Sequence, residues 1–390
     1  MNNPKLAFVY PPEVEGISYP ENCPFKTQRA TLSRSKIVSF GLLAGPDREE
    51  VPGRWASLSE LRQVHTEAYL NELQRAASGD LSVEGFGMGL GGPETPVFKH
   101  MFDYGALACG SGLVAADLLL SGQANVAFNL LGGQHHTGPG HAAGFCYLND
   151  VALACHHLAA AGRRVVYLDI DAHHGDGVQE IFYERPDVFT ISMHESGKTL
   201  FPWSGFEDEI GRGAGLGYNA NIPLPAGTYD DAFLAAFQDA ALPLITAYQP
   251  DVILLVLGMD ILAGDPLTHL HMTNNVVPDV LEALMRLDRP LLVTGAGGYH
   301  VENTVRAWTL AWRTCTGDGD HDVFTLGLGG DFLGNSEWAG GLRDRQLLVT
   351  QERHAEVDPE LFATLTRLKR EIFCYHGLDP ESRGNRIVVT

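Results

Sequence analysis

Short hydrophobic runs alternate with longer helical patterns along most of the chain. The runs are rich in valine, isoleucine and leucine, and they contain few polar positions that could face water. They occupy residues 6–10, 125–131, 164–170, 188–193, 251–258 and 290–295. Such continuous runs are typical of strands that are buried on both faces, as in a parallel sheet.

Helical patterns lie between these runs. They occupy about residues 103–121, 147–161, 230–249, 275–287 and 302–315. Strands that alternate with helices predict an α/β fold, in which helices cover both faces of a mostly parallel central sheet. The sequence therefore predicts a three-layer α/β/α architecture.

No repeat or low-complexity linker divides the chain before residue 315. We therefore predict a single domain over residues 1–390, with its motif-bearing core at about 6–315. The remainder, 316–390, contains the segment GDGDHD and a glycine-rich stretch at 327–341, and it ends in a helix predicted near 359–373. We interpret this region as an appendage to the same domain.

Composition narrows the class of protein and the compartment. The chain has 27 Lys and Arg against 48 Asp and Glu, a net charge of −21, which argues against a nucleic-acid partner and suits a cationic substrate. The six cysteines are scattered without a metal-binding pair, which is typical of reduced thiols in a cytoplasmic protein. We expect neither a signal peptide nor a membrane span, because no hydrophobic run is long enough.

Titratable residues follow four of the predicted strands. The strand ends continue as GGQHH, DIDAHHGDG, MDILAGDP and AGGYH. In an open parallel sheet the carboxyl ends of the strands meet at one edge, where ligands bind. The sequence therefore predicts one functional site at this edge.

The segment DIDAH indicates a divalent metal. Asp169, Asp171 and His173 alternate at a strand end, so their side chains share one side. Burying carboxylates without a partner is costly, and a cation would compensate their charge. Asp171 and His173 offer two zinc ligands, and Asp260, after another strand, is the best third. A catalytic zinc keeps its fourth position open for water.

Two histidines and a tyrosine supply candidate acid–base chemistry beside this metal. His135 and His136 directly follow a buried strand, and they offer a general base with an acid or electrostatic partner. Asp169 and Asp176 are not assigned to the metal, so their carboxylates are available to orient the two histidine rings. Tyr299 follows a glycine-rich turn that suits a phenol directed at a carbonyl oxygen. The set predicts metal-assisted hydrolysis of an amide.

The segments 132–150, 167–183, 190–205, 258–267 and 295–300 resemble the zinc-dependent histone deacetylase family of the arginase-deacetylase superfamily. The motifs YLND and LAGDPL are most similar to those of class I-like members, including bacterial deacetylases and acetoin-utilisation proteins. The resemblance implies the arginase-deacetylase fold and the removal of acetyl or other acyl groups from lysine side chains.

The resemblance also implies residue roles. Zinc would bind Asp171, His173 and Asp260, while His135 would pair with Asp169 and His136 with Asp176, and Tyr299 would be the transition-state hydroxyl. The tunnel for the acyl-lysine stem would be lined by Gly144, Phe145, Phe201 and Leu267. One potassium ion would bind Asp169, Asp171, His173, Ser192 and Met193, and a second would bind around Phe182, Arg185, Val188 and Tyr218. Arg29 matches an arginine of an internal channel.

The sequence departs from the family pattern in three places. Glu94 is the only acid in the glycine-rich loop 85–96, where the family carries a rim aspartate that holds the substrate backbone. Ala296 interrupts the usual run of four glycines before the tyrosine. The loop 137–143 differs from that of eukaryotic class I enzymes, which bears on specificity at the rim.

Three other functions remain open at this stage. An acetylpolyamine or other small-molecule amidohydrolase would use the same chemistry, so the substrate is an acyl-lysine protein or peptide or an acetylated amine. A ureohydrolase with two manganese ions is disfavoured, because Gly175 stands where its pattern needs an aspartate. A catalytically inactive binding module is disfavoured by the intact catalytic set. The sequence leaves the oligomeric state open.

Overall fold

A central parallel sheet organises the computed structural model, which describes residues 5–318 and 341–381. Its eight strands run in the order β2-β1-β3-β8-β7-β4-β5-β6, and each neighbouring pair is parallel. The strands are β1 Leu6–Val9, β2 Arg48–Val51, β3 Val126–Asn129, β4 Val165–Asp169, β5 Val188–Glu195, β6 Asn219–Leu224, β7 Val252–Val256 and β8 Leu291–Thr294. The predicted α/β fold with a parallel sheet is confirmed.

Helices pack on both faces of this sheet. They are α1 Gln28–Ser39, α2 Leu58–Leu61, α3 Glu67–Ala77, α4 Val83–Gly87, α5 Met101–Leu120, α6 Asp150–Ala160, α7 Asp176–Phe182, α8 Asp230–Ala236, α9 Leu242–Tyr248, α10 Val276–Met285, α11 Val301–Thr316 and α12 Gln351–Ile372. The helical pattern at 230–249 is interrupted by a π-helical turn at Phe237–Ala241, which separates α8 from α9. Helix α12 begins earlier than predicted and packs against β6 and α8.

Two strands were not predicted from the pattern. Strand β2 has the sequence REEV and lies at the sheet edge, where Glu49 and Glu50 are exposed, so it lacks a continuous hydrophobic run. Strand β6 is fully buried but contains asparagines and Pro223. Helix α1 also lacks an apolar stripe, because its buried positions include Arg29 and Ser33.

The strand register brings the predicted site together. Asp169, the last residue of β4, lies opposite Ser192 of β5 and Val256 of β7. Strand β8 pairs with β7 on one side and β3 on the other, so the segments after β3, β4, β7 and β8 leave the sheet at the same edge. Residues 319–322 of the GDGDHD segment and residues 327–340 of the glycine-rich stretch lie outside the described residues.

Among the described residues, α5 has the length and composition of a membrane-crossing helix. Its most apolar stretch is 72% buried inside the protein, as expected for a core helix that packs on β3 and α6. The length and the apolar composition of α5 are therefore explained by its position in the core of the protein.

A buried histidine ties together three loops around the predicted site. His65 Nδ1–H donates to the Gly138 carbonyl at 3.1 Å, and its Nε2 accepts the Asn149 N–H at 2.9 Å. Asn149 then caps α6 by accepting the Ala152 N–H and donates to the Thr137 carbonyl at 2.9 Å. The acceptor role of Nε2 requires a neutral ring, and burial lowers the pKa of His65 to about 4.

We expect this histidine to destabilise the protein in acid. In the unfolded chain the histidine takes up a proton at pH ~6.5, whereas in the folded protein it does so only at about pH 4. The free energy of unfolding should therefore decrease by roughly 3 kcal/mol as the pH falls from about 6.5 to about 4. Urea unfolding at pH 7.5, 6 and 5 measures this loss. His65→Asn should be less stable than the wild type at pH 7.5, but its free energy of unfolding should fall less steeply as the pH is lowered. A His65→Asn slope equal to that of the wild type would contradict the assignment.

Candidate active site

A buried cluster of two carboxylates and an imidazole lies beyond β4 and β7. Asp171 is 1% exposed and Asp260 is fully buried, and their oxygens lie 3.1 and 3.0 Å from Nδ1 of His173. The ligand atoms of the three residues all lie within 4.8 Å of one another. Asp260 also accepts the Ala172 N–H at 3.0 Å, which joins the two strand ends.

This cluster fits a tetrahedral zinc site. Carboxylate oxygens and histidine nitrogens are both zinc ligands, at about 2.0–2.2 Å, and a catalytic zinc takes three protein ligands, the number that this cluster offers. Burial and the charge of Asp171 raise the pKa of Asp260 to about 7. Burial opposes ionisation of Asp171 too, but the neighbouring rings of His135 and His173 outweigh it and lower the pKa of that carboxyl. The donor set thus requires a positive partner.

Glycine is required where the backbone passes this cluster. The N–H of Gly297 donates to Asp171 at 2.7 Å, and a Cβ at Gly297 would lie 2.0 Å from an oxygen of Asp260. A Cβ at Gly258 would lie 2.1 Å from Asp171. Neither position can carry a side chain without displacing a candidate ligand.

His135 and His136 lie beside the cluster, each held by its own carboxylate. His135 Nδ1 bonds Asp169 at 2.7 Å, and His136 Nδ1 bonds Asp176 at 2.7 Å. The two Nε2 atoms therefore face the same space, 3.1 Å apart. The structure brings together all four of these predicted residues, in the predicted pairs.

The surroundings separate the two rings electrostatically. Burial disfavours a charge on His135, but the carboxylates of Asp169 and Asp171 outweigh it and raise its pKa to about 9. Burial and the charge on His135 lower the pKa of His136. The carboxylates therefore favour the protonated form of the His135 ring, whereas the surroundings of His136 favour its neutral form.

Tyr299 faces the same space from the loop after β8. Its ring centroid lies 6.2 Å from that of His173 and 5.8 Å from that of Phe145. Its N–H donates to Asp265 at 2.7 Å, which fixes the loop. Burial raises the pKa of the phenol well above its usual range, so Tyr299 remains a hydrogen-bond donor.

Aromatic side chains form the walls above the cluster. The ring of Phe201 lies 5.1 Å from that of His136, and the N–H of Phe145 donates to the Glu94 carbonyl at 3.0 Å. Gly144 has φ 52°, and a Cβ there would lie 2.3 Å from the His136 ring. Leu267 is half-buried beside Asp265, which accepts its N–H, while the Glu94 side chain is exposed.

The residues predicted to hold potassium lie behind the cluster and beside α7. Ser192 and Met193 are buried on β5, next to Asp169 on β4. In the second group, the Phe182 carbonyl accepts the Arg185 N–H at 2.9 Å, and the Tyr218 carbonyl accepts the Thr190 N–H at 3.1 Å. Val188 begins β5. Arg185 itself pairs with Asp187 at 2.7 Å.

Arg29 lies deeper, next to the tyrosine loop. Its Nη1 donates to the Gly298 carbonyl at 2.7 Å, and its guanidinium lies 4.5 Å from the Phe25 ring centroid and 5.2 Å from that of Trp308. The residue is 3% exposed. It therefore places a buried cation directly behind Tyr299.

Sequence reasoning missed two buried residues that support the histidines. Asp150 accepts the N–H groups of Gly133 and Gln134 at 2.8–3.0 Å, which fixes the turn before His135. Tyr167 donates its hydroxyl to Asp169, the partner of His135. Asp150 could have been found from its place in YLND, because an acid at the start of a helix normally accepts hydrogen bonds from backbone N–H groups. Tyr167 gave no signal, because in the sequence it is part of a hydrophobic strand.

Comparison with known proteins agrees with this geometry. Residues 23–315 match the family model described as histone deacetylase domain. The chain is 41% identical over 325 residues to the acetoin utilization protein AcuC of Bacillus subtilis, covering 81% of this chain and 84% of the relative. It is 34% identical over 308 residues to histone deacetylase 8 of Xenopus tropicalis, covering 76% and 82%.

Solved structures give the same result. A histone deacetylase homologue from Aquifex aeolicus matches with a TM-score of 0.79 and 33% identity, covering 91% of this chain and 99% of that one. A histone deacetylase homologue complexed with SAHA matches with a TM-score of 0.78 and 34% identity, covering 92% and 99%. The predicted arginase-deacetylase fold and the predicted resemblance are both confirmed. The chain belongs to the histone deacetylase family, is of its class I-like, AcuC type, and is a deacetylase.

Proposed function

We propose that this protein is a zinc-dependent hydrolase that removes acetyl or other acyl groups from lysine side chains. The observation that carries the proposal is the buried Asp171–His173–Asp260 cluster, which faces two histidine–aspartate pairs and a tyrosine across one small space. The similarity to AcuC, to histone deacetylase 8 and to a homologue complexed with SAHA supports it. An acetylpolyamine substrate is not favoured by these relatives.

Asp171, His173 and Asp260 would hold the zinc ion, which supplies a Lewis acid for the acyl oxygen and the attacking water. His136 is the general base that takes a proton from the attacking water, because its Nδ1 bonds Asp176 and its unprotonated Nε2 faces the reaction space beside Nε2 of His135. The same nitrogen then returns the proton to the leaving lysine amine. Removing this proton makes the water nucleophilic without a strongly basic side chain.

His135 and Tyr299 stabilise charge in the transition state. His135 is held by Asp169, whose charge favours a positive ring beside the developing negative charge. The Tyr299 hydroxyl donates a hydrogen bond to the acyl oxygen as that oxygen becomes an anion. Asp265 positions the phenol through the backbone rather than through its hydroxyl.

The walls and the ions complete the proposal. Gly144, Phe145, Phe201 and Leu267 line the tunnel for the apolar lysine stem, and Glu94 at the rim holds the substrate backbone. Asp169, Asp171, His173, Ser192 and Met193 would hold one potassium ion. A second would bind around Phe182, Arg185, Val188 and Tyr218. The buried register of Asp169 against Ser192 supports the first of these sites.

We also propose that residues 1–390 form one domain in the cytoplasm. The packing of α12 on β6 supports a single domain, and the six free cysteines support a reducing compartment. The net charge of −21 argues against a nucleic-acid partner, because phosphate groups are bound by basic surfaces.

Turnover on three substrate classes tests the function. The metal-loaded protein should hydrolyse an acetyl-lysine peptide at least tenfold faster, in kcat/KM, than acetylspermidine or acetylputrescine, and SAHA should inhibit it competitively. Peptides with longer acyl groups measure the acyl preference in the same assay. Faster turnover of the acetylated polyamines would replace the lysine substrate with the alternative on the same fold.

Metal content tests the ligand assignment independently of activity. The purified protein should carry one zinc ion per chain, and chelation should abolish activity without unfolding it, because the sheet core does not depend on the metal. Asp171→Asn and Asp260→Asn should lose the zinc, measured by elemental analysis, while Tyr299→Phe should retain it. Two tightly bound transition metals per chain would refute the assignment.

Tyr299→Phe should lower kcat by about a hundred- to a thousandfold, with little change in KM, because its hydrogen bond belongs to the transition state. His136→Ala should cost at least as much, since it removes the base and the returning acid, and His135→Ala should cost less. Steady-state kinetics with zinc content checked in each variant measures these effects. Near wild-type turnover by Tyr299→Phe would rule out this mechanism.

A further inference from the structure

A large aromatic side chain is exposed directly beside the proposed tunnel. Trp203 is 63% exposed, although burying an indole is normally favourable. It follows Phe201 by two residues, and the Phe201 ring lies 5.1 Å from that of His136. Trp203 therefore lies where the wall of the tunnel reaches the surface.

The loop that carries this indole is firmly held. The Trp203 N–H donates to the Leu200 carbonyl at 3.2 Å, and the next residue, Ser204, bonds Nδ1 of the buried His174 at 2.9 Å. The N–H of Gly205 donates to Glu209 at 3.0 Å. Anchors on both sides hold the backbone in place, so a ligand would meet the indole at a fixed position.

The backbone conformation of Trp203 is unusual for a bulky residue. Its φ of 65° lies in the left-handed region, which costs free energy for any residue with a Cβ. Phe145, another residue of the proposed tunnel, shares this φ of 65°. Phe145 gains packing against Tyr299 in return, whereas the exposed indole gains little within the protein.

Charge around the loop favours a cationic ligand for the indole. The chain carries an excess of 21 negative charges, and Asp208 is exposed five residues after Trp203. Lys198, the basic residue of the same loop, is paired with Glu360 at 3.5 Å. The face of an indole attracts guanidinium and ammonium groups, and it also packs against their aliphatic stems.

We propose that Trp203 is a specificity residue that binds an unmodified arginine or lysine next to the acyl-lysine in a protein or peptide substrate. The inference rests on the proposed function and names its preferred substrate class, which is a basic segment of polypeptide. The acylated lysine enters the tunnel, and the neighbouring cationic side chain lies across the indole outside it.

Three acetyl-lysine peptides that differ at the flanking positions test this contact at one ionic strength. They carry arginine, neutral citrulline of the same shape, or alanine, and a fourth substrate is acetyl-lysine without flanking residues. The wild type should favour arginine over citrulline by about three- to tenfold in kcat/KM. Trp203→Ala should reduce this ratio to less than twofold, and Trp203→Phe should give an intermediate ratio.

Two controls separate the contact from a structural role. Trp55→Ala removes a tryptophan that is 47% exposed on another part of the surface, and it should keep the wild-type ratio. Trp203→Ala should hydrolyse the substrate without flanking residues at a rate within twofold of the wild type. A wild type without an arginine preference, a ratio unaffected by Trp203→Ala, or equal losses on all four substrates would overturn the inference alone. A wild type inactive on every acyl-lysine substrate would contradict the proposed function, and this inference with it.

Discussion

The burial of negative charge at the carboxyl edge of the sheet is the constraint on which the rest of this site depends. Asp169, Asp171 and Asp260 are all at most 1% exposed and lie on two adjacent strand ends. Carboxylates in such a place require a positive partner, because water is excluded and the local dielectric is low. Backbone N–H groups and the rings of His135 and His173 meet part of this requirement, and a metal ion at Asp171, His173 and Asp260 would meet the rest.

The same charge also makes two chemically identical rings different. His135 lies against Asp169 and within 4.0 Å of Asp171, so it receives most of the negative field. His136 has a more exposed carboxylate, Asp176, and a positive neighbour in His135. A general base and an electrostatic partner therefore arise from position alone, although the residues are adjacent in sequence.

Supporting residues outside the reaction space hold this arrangement in place. Asp150 fixes the turn before His135, Asp265 fixes the backbone of Tyr299, and His65 joins the surrounding loops through a neutral ring. None of the three contacts involves the reactive end of a catalytic side chain. These contacts restrict the motion of the loops around the site, and precise positioning of the water, the base and the phenol requires this restriction.

The sequence alone determined the elements with strong local signals. Continuous hydrophobic runs predicted six of the strands, because a strand buried on both faces must be apolar throughout. The alternation of Asp169, Asp171 and His173 predicted a shared face, since the side-chain period of a strand is two residues. The polar residues that follow the strands also singled out His135, His136, Asp260 and Tyr299, to which the family resemblance assigned roles. The structure brings all four side chains beside Asp171 and His173.

Tertiary structure decided what local pattern cannot encode. Strands β2 and β6 form because neighbours supply their hydrogen bonds, even though glutamates and a proline interrupt their hydrophobic pattern. Asp260 reaches Ala172 across 88 positions of sequence, and Asp265 reaches Tyr299 across 34. The exposure of Trp203 and the partial burial of Phe201 are likewise set by how one loop packs against His136 and His174. The period of the hydrophobic pattern predicts on which face of its own helix or strand a side chain lies. The segment that packs against that face comes from a distant part of the sequence, so it is determined only when the chain folds.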